Sequence, residues 1–325
     1  MKKKIINGNR FYNQNCIKGA ENTIKSNSVD LIITDPPYGI DGDTLHKHYN
    51  RDEDYIVDGY VEIPAHEYND FSHDWIQQAE RILRPGGCIY IVSGYTNLYH
   101  ILDALRETDL QEINHLIWKY NFGVYTQKKY ISSHYHILFY QKPGGERTFN
   151  LYSRYGHNEK DEDGGSLNYQ DREDVWVINR EYKPGRKKNK NELPKNLLIK
   201  IMQYSSNPGD MICDLFMGGF STAEVAIGLD RKFVGFEISE SIFNSGVERI
   251  KKVKKGHLLD NLRKPDNSKP KNQNKNWTDK EKERLRKRYY QLIEELEYKK
   301  DVIKQLGNEF GRGKFGIMRM IKNVK

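Results

Sequence analysis

The run Val29-Asp30-Leu31-Ile32-Ile33-Thr34 halts at Asp35-Pro36-Pro37-Tyr38, and this junction constrains the fold more than any other stretch of the chain. A short β-branched apolar run bounded in this way is what a strand buried on both faces of a parallel sheet requires. Two successive prolines cannot donate to a sheet ladder, so the strand must end there. Further on, Trp75, Ile76, Ala79, Ile82 and Leu83 share one face of a helix predicted over 72–83. The Arg84-Pro85-Gly86-Gly87 turn closes it, and residues 88–92 form a second apolar strand. Strand, helix and strand joined by tight turns predict an α/β fold. Residues 41–70 lack periodicity and read as a long loop beside the strand end, the position of a lid.

The pattern returns with a helix over 197–204, a strand over 211–216, a helix opened by Gly218-Gly219 and a strand over 233–237. Between the two scaffold segments, residues from about 118 to 190 are rich in Tyr, Asn and basic side chains, with one clear strand at 135–140. They read as a recognition insert. Cys16, Cys88 and Cys213 are odd in number and far apart, which argues against a disulfide framework and against a metal site, and fits a reducing compartment. No apolar run approaches the roughly 18 residues needed to span a membrane.

The net charge of +8 is unevenly spread. Residues 251–325 hold 23 Lys and Arg against 10 Asp and Glu, a net +13, while the first 250 residues hold 30 against 35, a net −5. A basic tail on a mildly acidic body points to a polyanion, nucleic acid being the commonest, with a solvated lysine-rich linker as the alternative.

Two strand ends carry the chemistry. At the first, the prolines fix φ and leave a rigid backbone that offers acceptors, notably the Pro36 carbonyl, while Asp35 adds a carboxylate and Tyr38 a flat aromatic face. Two acceptors beside an aromatic platform suit an exocyclic amino group on a planar base. At the second, Asp214-Leu215-Phe216-Met217-Gly218-Gly219 leads into Ser221 and Thr222 at a helix start, with Glu237 ending the next strand. Glycines admit a ligand close to the backbone, a helix N-terminus with hydroxyls favours a carboxylate, and Glu237 can accept from ribose hydroxyls. That describes a nucleoside with a carboxylate tail.

Asp35-Pro36-Pro37-Tyr38, the Arg84-to-Gly87 turn, Ile117-Trp118-Lys119, Asn207-Pro208-Gly209-Asp210 before Asp214-to-Gly218, and Gly235-Phe236-Glu237 together resemble the amino-group DNA methyltransferases. Their order is similar to that of the beta group of N6-adenine enzymes. The resemblance covers roughly residues 5–260. It implies a Rossmann-like sheet dependent on S-adenosyl-L-methionine, a catalytic domain over 1–120 and 191–261, and a target recognition region over 121–190. It implies catalysis by Asp35, Pro36, Pro37 and Tyr38. It implies cofactor contacts by Asn15, Cys16, Asp35, Lys195, Asp214, Phe216, Gly218, Gly219, Ser221, Thr222 and Glu237. In this setting Arg186, Lys187 and Lys188 are expected to grip double-stranded DNA. Two departures stand out: Phe220 replaces the family's last turn glycine, which is expected to shift the loop or weaken cofactor binding, and Asn15 stands where the family often has Asp. Cytosine N4 as acceptor, and a non-catalytic DNA-binding regulator on the same fold, are the competing readings. A cytoplasmic, nucleoid-associated protein of bacterial or phage origin is implied, with a homodimer and a companion restriction endonuclease left open as partners.

Residues 262–276 contain almost nothing to bury and read as a linker. Beyond it, Thr278-x-x-Glu281 is a capping box opening a helix with Leu285, Tyr289 and Leu292 on one face. A second helix is predicted over 302–306, ending at Gly307, and a third over 314–322. Trp277, Leu285, Tyr289, Val302, Ile303, Leu306, Phe315 and Ile321 are the expected core of this small all-α module over 277–325. It resembles a Myb-type helix-turn-helix, which places Arg312, Lys314, Arg319 and Lys322 on or near a recognition helix facing DNA. A lysine-rich hairpin for dimerisation is the alternative.

Overall fold

The computed structural model describes residues 2–39, 63–121, 123, 125–181, 192–268 and 271–322. The chain divides into two compact units: Met1–Arg154 with Tyr169–Lys264, and Tyr155–Asn168 with Pro265–Lys325. In the first unit the strands are β1 (Lys2–Ile6), β2 (Asn9–Asn13), β3 (Val29–Thr34), β4 (Leu83–Ser93), β5 (Gln111–Lys119), β6 (His134–Gln141), β7 (Val175–Val177), β8 (Met211–Asp214) and β9 (Lys232–Glu237). Among the described residues they form one sheet in the order β1-β2-β9-β8-β3-β4-β6-β5-β7.

The stretch β2-β9-β8-β3-β4 is parallel throughout. Its central members are the apolar runs that the sequence marks as buried on both faces. Leu31 and Ile33 face one core, shared with helices α4 (Lys195–Ser205), α5 (Ser221–Gly228) and α6 (Glu240–Ile250). Ile32 faces the other, shared with α1 (Cys16–Thr23), α2 (Tyr68–Ile82) and α3 (Leu98–Arg106). The period of two along β3 thus divides the helices into two layers.

β3 lies between β4 and β8, with Leu31 in register with Cys88 on one side and Ile212 on the other. The chain leaves β3 toward β4 and later returns to lay β8 on the opposite side, so the strand order reverses there. Such a switch point opens a crevice at the carboxyl ends of the strands.

Several local expectations are corrected. The helix starts at Tyr68, four residues before the predicted position, because Tyr68 and Ser72 are both buried against the sheet. Arg84 to Gly87 is an irregular opening of β4 rather than a turn: Gly86 takes φ +79° while Gly86 N donates to the Lys142 carbonyl at 2.8 Å. A Cβ on Gly86 would lie 2.2 Å from the Glu146 carbonyl oxygen, so only glycine fits. Most of the expected lid, residues 40–62, lies outside the described residues. No helix among the described residues is long and apolar enough to cross a membrane.

The second unit contains α7 (Asp279–Glu295), α8 (Lys299–Phe310) and α9 (Lys314–Lys322). The capping box at Thr278 and Glu281 is formed in both directions. α8 runs past Gly307 and stops at Gly311, whose φ of +59° suits the left-handed cap. Leu285, Tyr289, Leu292, Val302, Ile303, Leu306 and Ile321 fill the core as expected, joined by Phe310 and Ile317. Phe315 does not: it is 82% exposed, because α9 turns Ile317 and Ile321 inward instead. Part of the predicted linker is pinned to this unit, with Asn272 N donating to the Gly311 carbonyl at 2.7 Å.

Candidate active site

The switch-point crevice is lined by Gln14, Asn15, Cys16, Asp35, Pro37, Ile63, Phe71, Glu192, Leu193, the run Asp214 to Gly219, Ser221, Thr222 and Phe236 to Ile238, with Ile242 closing it. The two motifs meet because β3 and β8 are adjacent. Thr34 Oγ1 donates to Asp214 Oδ1 at 3.0 Å, tying the two strand ends together.

Asp35 follows β3 directly. Tyr38 folds back so that its hydroxyl donates to Asp35 Oδ1 at 2.6 Å. The loop is clamped from outside: Tyr68 Oη donates to the Pro37 carbonyl at 2.7 Å and Asn97 Nδ2 to the Tyr38 carbonyl at 2.6 Å. Gly39 has φ +62°, and a Cβ there would lie 2.5 Å from the Tyr68 ring. Neither Tyr68 nor Asn97 stands in a recognisable motif, so sequence reasoning missed both.

On the β8 side, Gly218 N donates to Glu237 Oε2 at 2.9 Å and Ser239 N to Oε1 at 2.7 Å, so β9 holds the glycine turn. A Cβ on Gly219 would fall 1.8 Å from Glu192 Oε1. Glu192 is held by Arg249 at 2.8 Å, which also pairs with Glu224 at 2.7 Å and donates to the Gly219 carbonyl at 2.6 Å. Lys195 is expected at the cofactor but does not line the crevice; its ammonium is paired with Glu224. Against the opposing effect of burial, Lys195 and Arg249 hold the Glu224 carboxyl below the usual range. Lys195 thus sits beside the turn, on Glu224, and outside the crevice lining.

Phe220 has a left-handed backbone, φ +65°, and sends its ring into the core, stacked on Phe11 at 5.6 Å and edge-on to Phe243 at 6.0 Å. Gly246 makes room, since a Cβ there would lie 2.2 Å from the ring. The ring is absent from the crevice lining. Asn15 lines the crevice, but its Oδ1 caps α1 by accepting from Ile17 N at 2.9 Å. Beside it, the side-chain oxygen of Gln14 is buried with no hydrogen-bond partner, an acceptor the sequence reading overlooked.

Burial raises three carboxyls in this space. Asp35 is pushed up to about 7, partly offset by the Tyr38 hydroxyl. Asp214 rises to about 6 and Glu237 to about 7, the latter helped by the charge of Asp214. Cys16 is pushed up to about 12 by burial, so it stays a thiol. With Glu192, four acids surround one crevice, which suits a cationic ligand.

The DNA-facing residues fall into three groups. Arg186, Lys187 and Lys188 lie outside the described residues. Lys314, Arg319 and Lys322 are exposed on α9. Arg312, expected with them, is 6% exposed: it donates to the carbonyls of Lys275 and Asn276, pairs with Glu281 at 3.2 Å and lies 4.3 Å over the Trp277 ring. Its fork closes the unit and cannot reach a partner.

An open α/β sheet with an acid-lined switch-point crevice, a rigid Asp-Pro-Pro-Tyr loop and a glycine turn has the architecture of a nucleotide-binding site. The N6_N4_Mtase model, DNA methylase, matches residues 29–248, and the chain belongs to that family. It is 29% identical over 244 residues to the Type II methyltransferase M.HpaI of Haemophilus parainfluenzae, covering 74% of each chain. It is 28% identical over 272 residues to the Type II methyltransferase M.HinfI of Haemophilus influenzae, covering 78% of this chain and 72% of that one. The fold is similar to that of M1.HpyAVI in complex with SAM, with a TM-score of 0.50 at 21% identity, covering 74% of this chain and 97% of that one. It is also similar to the cytosine-N4-specific PvuII DNA methyltransferase, with a TM-score of 0.55 at 14% identity, covering 79% and 94%.

Proposed function

We propose that this DNA methylase transfers a methyl group from S-adenosylmethionine to the N6 amino group of an adenine flipped out of duplex DNA. Asp35 carries this reading: a carboxylate acceptor on a proline-locked loop, at the switch point, beside an aromatic ring.

The crevice fits the cofactor on its own chemistry. Four acids face a ligand bearing a sulfonium and an ammonium, Gly218 and Gly219 leave the turn open, and Gln14 offers a buried acceptor for an amino group. Ser221 and Thr222 at the start of α5 suit its carboxylate, and Glu237 its ribose. When bound, the cofactor supplies a methyl group on a sulfonium that leaves as a neutral thioether. The chain supplies orientation. Asp35 and the Pro36 carbonyl accept the two N6 hydrogens, which draws the amino nitrogen out of conjugation and turns its lone pair toward the methyl group. Asp35 then takes the proton that N6 loses. Tyr38 gives the base a stacking face once its hydroxyl releases Asp35.

Duplex contact is read from the same edge of the sheet. β6 runs antiparallel to β4 and β5 antiparallel to β6, so the β5–β6 loop emerges at the carboxyl edge that carries Asp35. Tyr130 is 98% and Tyr125 76% exposed there, with Lys128 and Lys129 between them. Aromatic and basic side chains together suit a nucleic-acid backbone and its bases. The helical unit adds Lys314, Arg319 and Lys322 on an exposed helix face, the arrangement of a helix-turn-helix reader.

Sequencing methylated bases in DNA from cells expressing the protein tests this reading, with N6-methyladenine at one recurrent motif as the expected result. N4-methylcytosine at that motif would transfer the assignment to cytosine, and unmodified DNA would favour a non-catalytic regulator.

A further inference from the structure

Arg180 belongs to none of the motifs above, yet it is embedded beside the reacting groups. Its guanidinium lies 4.6 Å from the centre of the Tyr120 ring, 5.3 Å from that of Tyr135 and 5.9 Å from that of Trp118. Arg180 Nη2 donates to the Tyr135 hydroxyl at 2.9 Å, and the Tyr135 ring rests 5.8 Å from that of Tyr38. Tyr38 in turn holds Asp35. An unbroken series of contacts therefore runs from Arg180 through two tyrosines to the carboxylate. The Nε of Arg180 is buried without a hydrogen-bond partner, so this side chain is kept in place at a cost in lost hydration.

We propose that Arg180 is a positioning residue for methyl transfer: it fixes the aromatic wall against which Tyr38 packs and turns a positive charge toward the Asp35 carboxylate that accepts the N6 hydrogens. The inference rests on the assignment of Asp35 given above. The groups that face Asp35 are the Tyr38 hydroxyl from its own loop, Asp214 at the end of β8 and Arg180 after β7, with Glu192 and Glu237 further round the crevice. Burial and then Asp214 favour the protonated acid, while the Tyr38 hydrogen bond and the charge of Arg180 oppose them. Cation stacking on aromatic faces also stiffens the wall that a flipped base must enter.

The test is the pH dependence of the single-turnover methylation rate on duplex DNA, for the full chain and for Arg180→Met, Arg180→Gln and Arg180→Lys. The two neutral variants are expected to move the acidic limb upward by about one pH unit, so that a roughly tenfold loss near pH 6 shrinks to under about twofold at pH 9. Arg180→Lys, which retains the charge, is expected to restore the wild-type limb. A neutral variant whose limb falls at the same pH as that of the wild type, or an equal displacement in Arg180→Lys, would overturn the proposal whatever the absolute rates. Wild-type protein that transfers no methyl group would instead remove the reading of Asp35 on which the proposal rests.

Discussion

The crevice and the helical unit handle charge in opposite ways. Around Asp35, Asp214 and Glu237 the acids are drawn inward, where burial works against ionisation, and Glu192 lies beside them paired with Arg249. On α9 the bases Lys314, Arg319 and Lys322 are exposed to water. Buried charge is specific and expensive; exposed charge is cheap, long-ranged and screened by salt. One region is therefore shaped for a single cationic ligand, while the other presents an exposed basic helix face. The +8 of the whole chain conceals this division.

The contrast can be broken most directly at Asp35. Asp35→Ala is expected to lower single-turnover methylation by on the order of a thousandfold or more while cofactor affinity stays within a few-fold, because an acceptor used in the transition state is lost and the rest of the crevice is kept. Parallel calorimetry and rate measurements check this; a mutant that still methylates would sink the assignment.

Next in size is Phe220. If its ring belongs to the core, Phe220→Ala costs about 3 kcal/mol of unfolding free energy or more. Phe220→Gly should cost about 1 kcal/mol less than the alanine variant, reversing the usual order, because the backbone is left-handed. Denaturant melts compare the two directly. Cofactor affinity that falls further than stability would return Phe220 to the crevice.

In the helical unit, Arg319→Ala with Lys322→Ala is expected to reduce the salt slope of DNA binding by about 2, whereas Arg312→Ala lowers the melting temperature without changing that slope. Equal slopes in all variants would favour the dimerisation hairpin. A smaller effect sharpens the comparison from the acidic side. A carboxyl raised in the folded state contributes stability below its unfolded value near 4, and this is lost as pH rises through about 7. Asp35→Asn should therefore raise the melting temperature of the ligand-free protein at pH 8 and leave it unchanged at pH 4.

Much of this site was legible in the chain itself because its parts are local. β3, β8 and β9 are short apolar runs, each ending in an acid, and any parallel sheet that pairs them brings Asp35, Asp214 and Glu237 to one edge. The glycine turn announces itself for the same reason. What could not be read is set by partners distant in sequence. Arg312 is basic and two residues from Lys314, so composition places it outside; only folding brings Glu281 and Trp277 to it. Phe220 looks like an obstruction until Phe11, Phe243 and Gly246 enclose it. Among the described residues β1 pairs with β2 alone, and its Lys2-Lys3-Lys4 run has no buried face, so nothing in its pattern marks a strand. Arg180 acquires its meaning only from strands that bring Trp118, Tyr120 and Tyr135 around it.

That carboxyls raised by burial shape the crevice for a cation is tested by calorimetry of S-adenosylmethionine binding near pH 6.5 in buffers of different ionisation enthalpy. Because a cation lowers the proton affinity of nearby carboxyls, binding should release protons, and more of them than S-adenosylhomocysteine, which lacks the sulfonium. Equal release by the two ligands, or none by either, would contradict it.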